Sequence, residues 1–163
     1  MMKTIIKNDI LIKAASTKTE FEEARDLFKQ YANSLNVDLC FQNFSGELET
    51  IDKQYNKPAG ALLLAYKNNI AVGCVGIRQL EKDIAELKRM YVQPAYRKNK
   101  IGVKLLEFAV GIAKDLNYKK IRLDTLPTML QAQNLYHSFG FYKIPSYRFN
   151  PVNGTVFMEK DLT

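Results

Sequence analysis

The chain has 163 residues, of which 47% are hydrophobic and 25% are charged, and this balance fits one globular domain and excludes a disordered chain. Its net charge of +7 suits nucleic acid, a membrane surface or a phosphorylated small molecule as partner, without choosing among them. A single histidine, His137, excludes a multi-histidine metal site, and the two cysteines, Cys40 and Cys74, are too few for a disulfide framework or a metal cluster. We therefore predict no metal site.

The N-terminal segment MMKTIIKNDILIK lacks the long apolar stretch of a signal peptide. No segment approaches the roughly 18 apolar residues that a membrane span needs. We find no linker, repeat or low-complexity block. We therefore expect one domain over residues 1–163, located in the cytoplasm and without a membrane partner.

The periodicity of apolar residues and the turn residues between them predict alternating strands and helices. In chain order these are a strand at 9–15, a helix from the capping box at 17–20 to about residue 35, strands at 60–66, 70–80 and 84–92, a helix at 101–116, a strand at 119–125, a helix starting at Pro127, and strands at 141–144 and 155–162. Residues 36–58 are ambiguous, with room for one short helix, and Gly140 suits the residue after a helix end.

Three hairpin-linked strands followed by a β-α-β crossover imply antiparallel pairing in the first half of the sheet and parallel pairing after it. The expected architecture is an α/β fold with a mixed sheet and helices on both faces.

The start of the helix at 101–116 carries an unusual excess of positive charge. Arg97, Lys98, Lys100 and Lys104 lie where the helix dipole is already positive. Backbone N–H groups of a short loop and a first helical turn form a ready anion site, and a bound anion would offset this excess. The alternative is an ordinary solvated helix start.

The surrounding sequence, ELKRMYVQPAYRKNKIGVKLLEFAV, resembles the central motif of the GNAT acyltransferases, the Gcn5-related N-acetyltransferase superfamily. The family's loop signature, Q/R-x-x-G-x-G/A, is Arg97-Lys98-Asn99-Lys100-Ile101-Gly102 here. The resemblance continues through LDTLPTMLQAQNLYHSFGFYKI and NPVNGTVFMEKDL and covers about residues 60–163. Two positions depart from the family pattern: Lys100 replaces the first glycine, and Met129 stands where many members have an asparagine that helps to hold the cofactor.

The resemblance implies a GNAT fold, with a sheet of about six or seven strands and a splay between the parallel strands 84–92 and 119–125. Acetyl-CoA would lie in that splay, with its pantetheine paired to the backbone of strand 84–92 and its pyrophosphate on the N–H groups of the basic loop. The implied cofactor-binding residues are Met90, Tyr91, Val92, Arg97, Lys98, Asn99, Lys100, Ile101, Gly102 and Val103.

The implied chemistry is direct attack of an amine on the thioester, with Tyr136 as general acid toward the leaving thiolate. Without the resemblance, a tyrosine packed at a helix end is the favoured explanation of Tyr136. Glu86 matches a position where several members place a general base, although a solvated glutamate is equally compatible. Strand alternation would put Glu86, Lys88, Met90 and Val92 on one face.

Other candidates are weaker. His137 should point away from Tyr136 on the helix, and Asp124 ends a strand at the splay, where it could instead cap the following helix. The aromatic residues of the C-terminal region are either core or the wall of an acceptor pocket; they are Tyr142, Tyr147 and Phe149.

The sequence thus predicts an N-acetyltransferase, an acyltransferase whose partners are acetyl-CoA and an amine of a small molecule or peptide, acting as a monomer or homodimer. A GNAT-like CoA-binding module without turnover is the first alternative, suggested by Lys100 and Met129. A basic nucleic-acid-binding protein is the second, but we find no aromatic RNA-binding motif or recognition helix to support it. The acceptor pocket is expected to be built from residues 20–58 and 145–154.

Overall fold

A computed structural model of the chain describes residues 3–6, 9–39 and 43–163. Within these ranges one mixed sheet contains eight strands in the order β1-β2-β3-β4-β5-β6-β8-β7. The strands are β1 Lys3–Ile6, β2 Ile10–Ala14, β3 Ala61–Lys67, β4 Ile70–Glu81, β5 Ile84–Val92, β6 Lys120–Thr125, β7 Tyr142–Ile144 and β8 Val156–Asp161. The expected α/β class is confirmed, with β1 as a strand that the sequence did not predict.

The helices are α1 Lys18–Ser34, α2 Phe44–Glu49, α3 Ile51–Gln54, α4 Ile101–Asp115 and α5 Leu130–Ser138, and a 3₁₀ segment spans Pro94–Asn99. The capping box of α1 is confirmed, because the Thr17 hydroxyl accepts from the Glu20 N–H at 3.2 Å while the Glu20 carboxylate accepts from the Thr17 N–H at 3.0 Å. No helix among the described residues is long and apolar enough to cross a membrane.

The two faces of the sheet are covered by different helices, as predicted. On one face, α4 and α5 pack against a core that contains Val75, Leu105 and Ile121. On the other face, α1, α2 and α3 enclose a second core with Phe28 and Leu64. Cys74 lies in this second core as a buried free thiol; Cys40 lies outside the described residues.

The end of α5 is as predicted, but its start is not. Gly140 follows the helix with φ +90, a conformation that favours glycine, and its N–H donates to the His137 carbonyl at 3.0 Å. The helix begins at Leu130 and not at Pro127, because residues 126–129 form a turn closed by the Met129 N–H and the Leu126 carbonyl at 3.0 Å.

The parallel strands β5 and β6 separate part-way along their length. Their pairing covers only Ile84–Lys120, Ala85–Ile121 and Glu86–Arg122. From Leu87 onward β5 lies beside an opening in the sheet instead of a ladder partner on that side, so the predicted splay is confirmed. This opening positions the candidate site.

Beyond the splay, β5 contains a bulge at Arg89. Between the Cys74–Tyr91 and Gly76–Lys88 pairs, one residue of β4 faces two of β5, and Arg89 has φ +58. The predicted alternation is therefore wrong: Met90 and Val92 pack on the α4 face, as does Leu87 before the bulge. Glu86 and Lys88 alternate with Leu87, so these two residues lie on the opposite face, toward α1–α3.

Candidate active site

A cleft of about 520 Å³ opens where β5 and β6 separate. Its walls come from residues 87–92 of β5, residues 124 and 125 of β6, α5 with the turn before it, and Tyr31 and Ser34 of α1. Arg97, Lys100, Gly102 and Val103 close one end of the cleft. The splay therefore joins the basic loop and Tyr136, two predicted features that are distant in sequence, along one continuous surface.

The basic end of the cleft is the N-terminus of α4. Lys100 is the residue before the helix and adopts a left-handed conformation with φ 56, and its side chain forms no capping hydrogen bond. A Cβ placed on Gly102 would meet no protein atom within 4 Å. The surface at Gly102 is therefore open, and the first-turn N–H groups of a helix, which have no partner within the helix, can accommodate an anion there.

Only some of the predicted phosphate-loop residues line the cleft. Lys100, Gly102 and Val103 line the cleft, whereas the Ile101 side chain is buried in the α4-side core. Lys98 and Asn99 are not among the lining residues. The Arg97 Nε donates to the Val92 carbonyl at 2.9 Å, so this arginine is partly engaged in fixing the loop to β5. The same bond takes up part of the pairing capacity predicted for Val92.

Tyr136 lines the cleft from α5. Its side chain is 6% exposed, and its ring packs against Phe141 with a centroid separation of 5.7 Å. Burial raises the pKa of the Tyr136 hydroxyl, and the nearby Tyr31 and Asp124 raise it further. The hydroxyl is therefore protonated at neutral pH and can act as a proton donor. His137 is exposed and does not line the cleft.

Glu86 is fully buried behind the cleft and not in its lining. It accepts from the Arg78 Nε at 3.1 Å and from the Tyr147 hydroxyl at 2.9 Å, and it forms an ion pair with Arg148. Burial alone would raise the pKa of Glu86, but the positive charges of Lys88, Arg148 and Arg78 outweigh it and hold the pKa below the usual range. A carboxylate bound in this way is a weak base, and its contacts anchor the 145–154 loop.

The C-terminal aromatic residues do not form one wall. Tyr147 reaches Glu86 and packs edge-on against Phe157. Tyr142 donates to Glu159 at 2.6 Å at the β7 edge of the sheet, and Phe149 is 76% exposed. None of the three lines the cleft.

Lys88 and Asp124 are charged residues of the cleft that the sequence analysis undervalued. Lys88 lines the cleft and is only 3% exposed. Asp124 lines it from β6 and accepts from the Asn150 side chain at 3.4 Å. The sequence did contain a signal for Lys88: it is a lysine in the middle of a strand whose neighbouring residues are buried. Burial of a lysine is costly, so a lysine in such a strand indicates a specific role.

The bulge is supported from outside the sheet. Arg89 donates from Nη2 to Glu47 Oε1 at 2.7 Å and from Nε to Oε2 at 3.1 Å. The Tyr55 hydroxyl donates to the same carboxylate at 2.8 Å. Glu47 therefore fixes the strained backbone of β5 where that strand borders the cleft, and it does so from α2, in the segment that the sequence left ambiguous.

Comparison with known proteins agrees with this geometry. Residues 21–141 match the family model for the acetyltransferase (GNAT) family. An uncharacterized N-acetyltransferase of Schizosaccharomyces pombe is 33% identical over 158 residues, covering 96% of this chain and 97% of the relative. The chain belongs to the GNAT acetyltransferase family.

Solved structures show the same fold. A GNAT-family acetyltransferase from Staphylococcus aureus superposes with a TM-score of 0.79 at 26% identity, covering 94% of this chain and 99% of that one. A GNAT-family acetyltransferase from Elizabethkingia anophelis, with acetyl-CoA bound, gives a TM-score of 0.68 at 22% identity and covers 95% and 99% of the two chains.

Proposed function

We propose that this protein transfers the acetyl group of acetyl-CoA to an amine of a small molecule or peptide by direct attack within a ternary complex. The observation that carries the proposal is the cleft. It is lined by a helix start that can accommodate an anion, by a buried and protonated tyrosine, and by the part of β5 that has no pairing partner on the β6 side. Membership of the GNAT family and the acetyl-CoA bound to the Elizabethkingia relative support the same donor.

The diphosphate of CoA would be held at the N-terminus of α4. The N–H groups from Lys98 to Val103 supply donors, and the lack of a side chain on Gly102 leaves room for close approach. The ammonium group of Lys100 adds a cation at the same end of the cleft. Charge-assisted hydrogen bonds of this kind are about twice as strong as neutral ones.

The pantetheine would pair with β5 as an added strand. The ladder with β6 ends at Glu86, so the residues from Leu87 to Val92 border an opening wide enough to form the cleft. Met90 and Val92 would supply the backbone N–H and C=O groups for this pairing. The adjacent bulge at Arg89 sets the direction in which this part of β5 faces. Acetyl-CoA bound at this site would provide the activated acyl group of the reaction.

In the transfer, the bond between the amine nitrogen and the acetyl carbon forms and the bond between carbon and sulfur breaks. Tyr136, which is protonated at neutral pH, donates its proton to the departing sulfur as the bond between carbon and sulfur breaks. The proton that the amine loses has two candidate acceptors. Glu86 is the base that the resemblance implies, although it is buried behind the cleft and held by cations. Asp124 is the carboxylate in the described lining of the cleft and is the competing assignment.

The proposal is tested with CoA, acetyl-CoA and a panel of amines. Both cofactor forms should raise the melting temperature, because a ligand that binds only the folded state stabilises it. Thiol release with at least one amine then shows turnover. A protein that neither shifts its melting temperature nor releases thiol would refute the proposal.

A CoA-binding module without turnover is the second candidate. Met129 lines the cleft, where its thioether accepts from the Thr125 hydroxyl at 3.6 Å and offers the cofactor no hydrogen-bond donor. Stabilisation by CoA without thiol release from any amine would favour this candidate. Residence in the cytoplasm and a monomeric or homodimeric state stay predictions of the sequence.

A further inference from the structure

The cleft contains a second amine besides any acceptor that enters it. Lys88 lies on β5 two residues before Met90, the first residue expected to pair with pantetheine, and its side chain is almost completely buried. Lys88 and Tyr136 both line the same cleft. The other lysine in the described lining, Lys100, precedes α4 in the part of the cleft proposed to hold the phosphates. Lys88 therefore brings a primary amine to the cleft on the strand that is proposed to bind the pantetheine.

Charged groups from four elements surround this amine. Glu86 and Arg89 flank it on β5, Arg78 acts from β4, Asp124 from β6 and Glu47 from α2. Burial lowers the pKa of Lys88 to about 8, helped by Arg89 and opposed by Glu86 and Asp124. At pH 7 the neutral, nucleophilic fraction of such an amine is about 300-fold that of an ordinary lysine.

We propose that Lys88 is a self-acetylation site of this protein, modified by its own bound acetyl-CoA when no acceptor amine is present. The Lys88 nitrogen attacks the thioester carbonyl, the new amide bond forms, and the carbon–sulfur bond breaks. CoA leaves as the thiol, with the proton that the amine loses. This inference rests on the proposed function, because the donor must occupy the cleft.

Acetylation would change the site in two ways. The amide is uncharged, so the end of the cleft near Asp124 loses a cation, and the added acetyl group takes up volume where a substrate's acetyl group would lie. The modified protein is expected to transfer acetyl groups to external amines at least tenfold more slowly, since a misplacement of about 1 Å costs on that order or more.

The experiment incubates the full chain with isotopically labelled acetyl-CoA without any amine, and follows the intact mass and the peptide map over time. We expect one added acetyl group, located on Lys88, at a rate that saturates with acetyl-CoA. The rate should rise about tenfold from pH 6 to pH 7 and level off above about pH 8, following the neutral fraction of the amine. Lys88→Arg should abolish the modification, and Lys114→Arg, at an exposed lysine of α4, should leave it unchanged.

Lys88→Met, a neutral side chain of similar length, repeats the test if Lys88→Arg folds poorly. If CoA stabilises the protein but the label is absent, or is spread over exposed lysines at a rate that does not saturate, the inference is wrong and the proposed function stands. If CoA gives no stabilisation and no amine releases thiol, the proposed function itself is wrong.

Discussion

The substitution Gly102→Ala isolates the anion-binding role of the α4 N-terminus from its structural role. A Cβ at Gly102 meets no protein atom within 4 Å, and the same holds for Gly111 in the same helix. Neither alanine should clash in the unliganded protein, and each should stabilise the helix by up to about 1 kcal/mol, with less at Gly102 because it lies in the first turn. Only Gly102 lines the cleft, so Gly111→Ala is a matched control.

The expected effect of Gly102→Ala on CoA binding follows from the contact it blocks. A methyl group at this position occupies the space through which a phosphate approaches the helix amides, and losing one hydrogen bond to a charged group costs about 1.5–3 kcal/mol. That loss corresponds to a roughly 10- to 100-fold increase in the Kd for CoA. At a CoA concentration 100 times the original Kd, the ligand-induced stabilisation would fall from about 2.7 kcal/mol to about 1.4 kcal/mol or less.

Calorimetric titration with CoA, together with melting curves with and without CoA, measures both quantities on the same samples. Gly102→Ala should melt no lower than the parent protein without ligand and should gain less from CoA, while Gly111→Ala should gain as much as the parent. Equal CoA affinity in all three proteins would show that the diphosphate does not contact this helix start, and would remove the main support for the cofactor site.

Four further predictions test the chemistry and the loop. Tyr136→Phe should lower kcat by about 100-fold or more while leaving the Kd for CoA unchanged, and unchanged kinetics would remove Tyr136 from the mechanism. Glu86→Gln should destabilise the fold by about 1–3 kcal/mol in denaturant titrations and raise the acceptor KM, because Arg148 loses its partner. The pKa of Glu86 is lowered in the folded protein, so the difference in stability between the two proteins is fully present at pH values above the ordinary carboxyl pKa. This difference should narrow as the pH falls through the folded-state pKa of Glu86. If Asp124 is the base, Asp124→Asn should lower kcat at neutral pH with a loss that shrinks as the pH rises, whereas the same profile in Glu86→Gln would assign the base to Glu86. Lys100→Gly should stabilise the protein by about 0.5–1 kcal/mol by relieving the left-handed conformation at φ 56, and a lower melting temperature would contradict this.

Local signals in the sequence predicted most of the fold. The capping box at Thr17 and the glycine at 140 mark helix ends through contacts between neighbouring residues, and both are present as expected. The start of α5 was misplaced because Pro127 is equally compatible with a first helical turn and with the turn that precedes it. The strand Lys3–Ile6 was not predicted.

The candidate site was only partly predictable, for a different physical reason. The basic loop and Tyr136 belong to contiguous motifs, so the sequence identified them directly. The surroundings of Glu86 depend on Arg148, which is 62 residues away, and no local pattern signals that ion pair. Lys88 looked like an ordinary strand lysine until the splay and the bulge placed it inside the cleft.

The bulge at Arg89 links the two sides of the proposed enzyme. Without it, strict alternation would put Met90 and Val92 on the same face as Glu86, and the backbone of β5 would present different groups to the opening beside β6. A left-handed arginine is unfavourable by itself, so it persists only where other contacts fix it. Those contacts come from Glu47, which holds the guanidinium with two hydrogen bonds from a short helix on the face opposite α4. Residues 43–58, expected to serve only the acceptor, therefore also set the geometry of the strand to which the donor is proposed to bind.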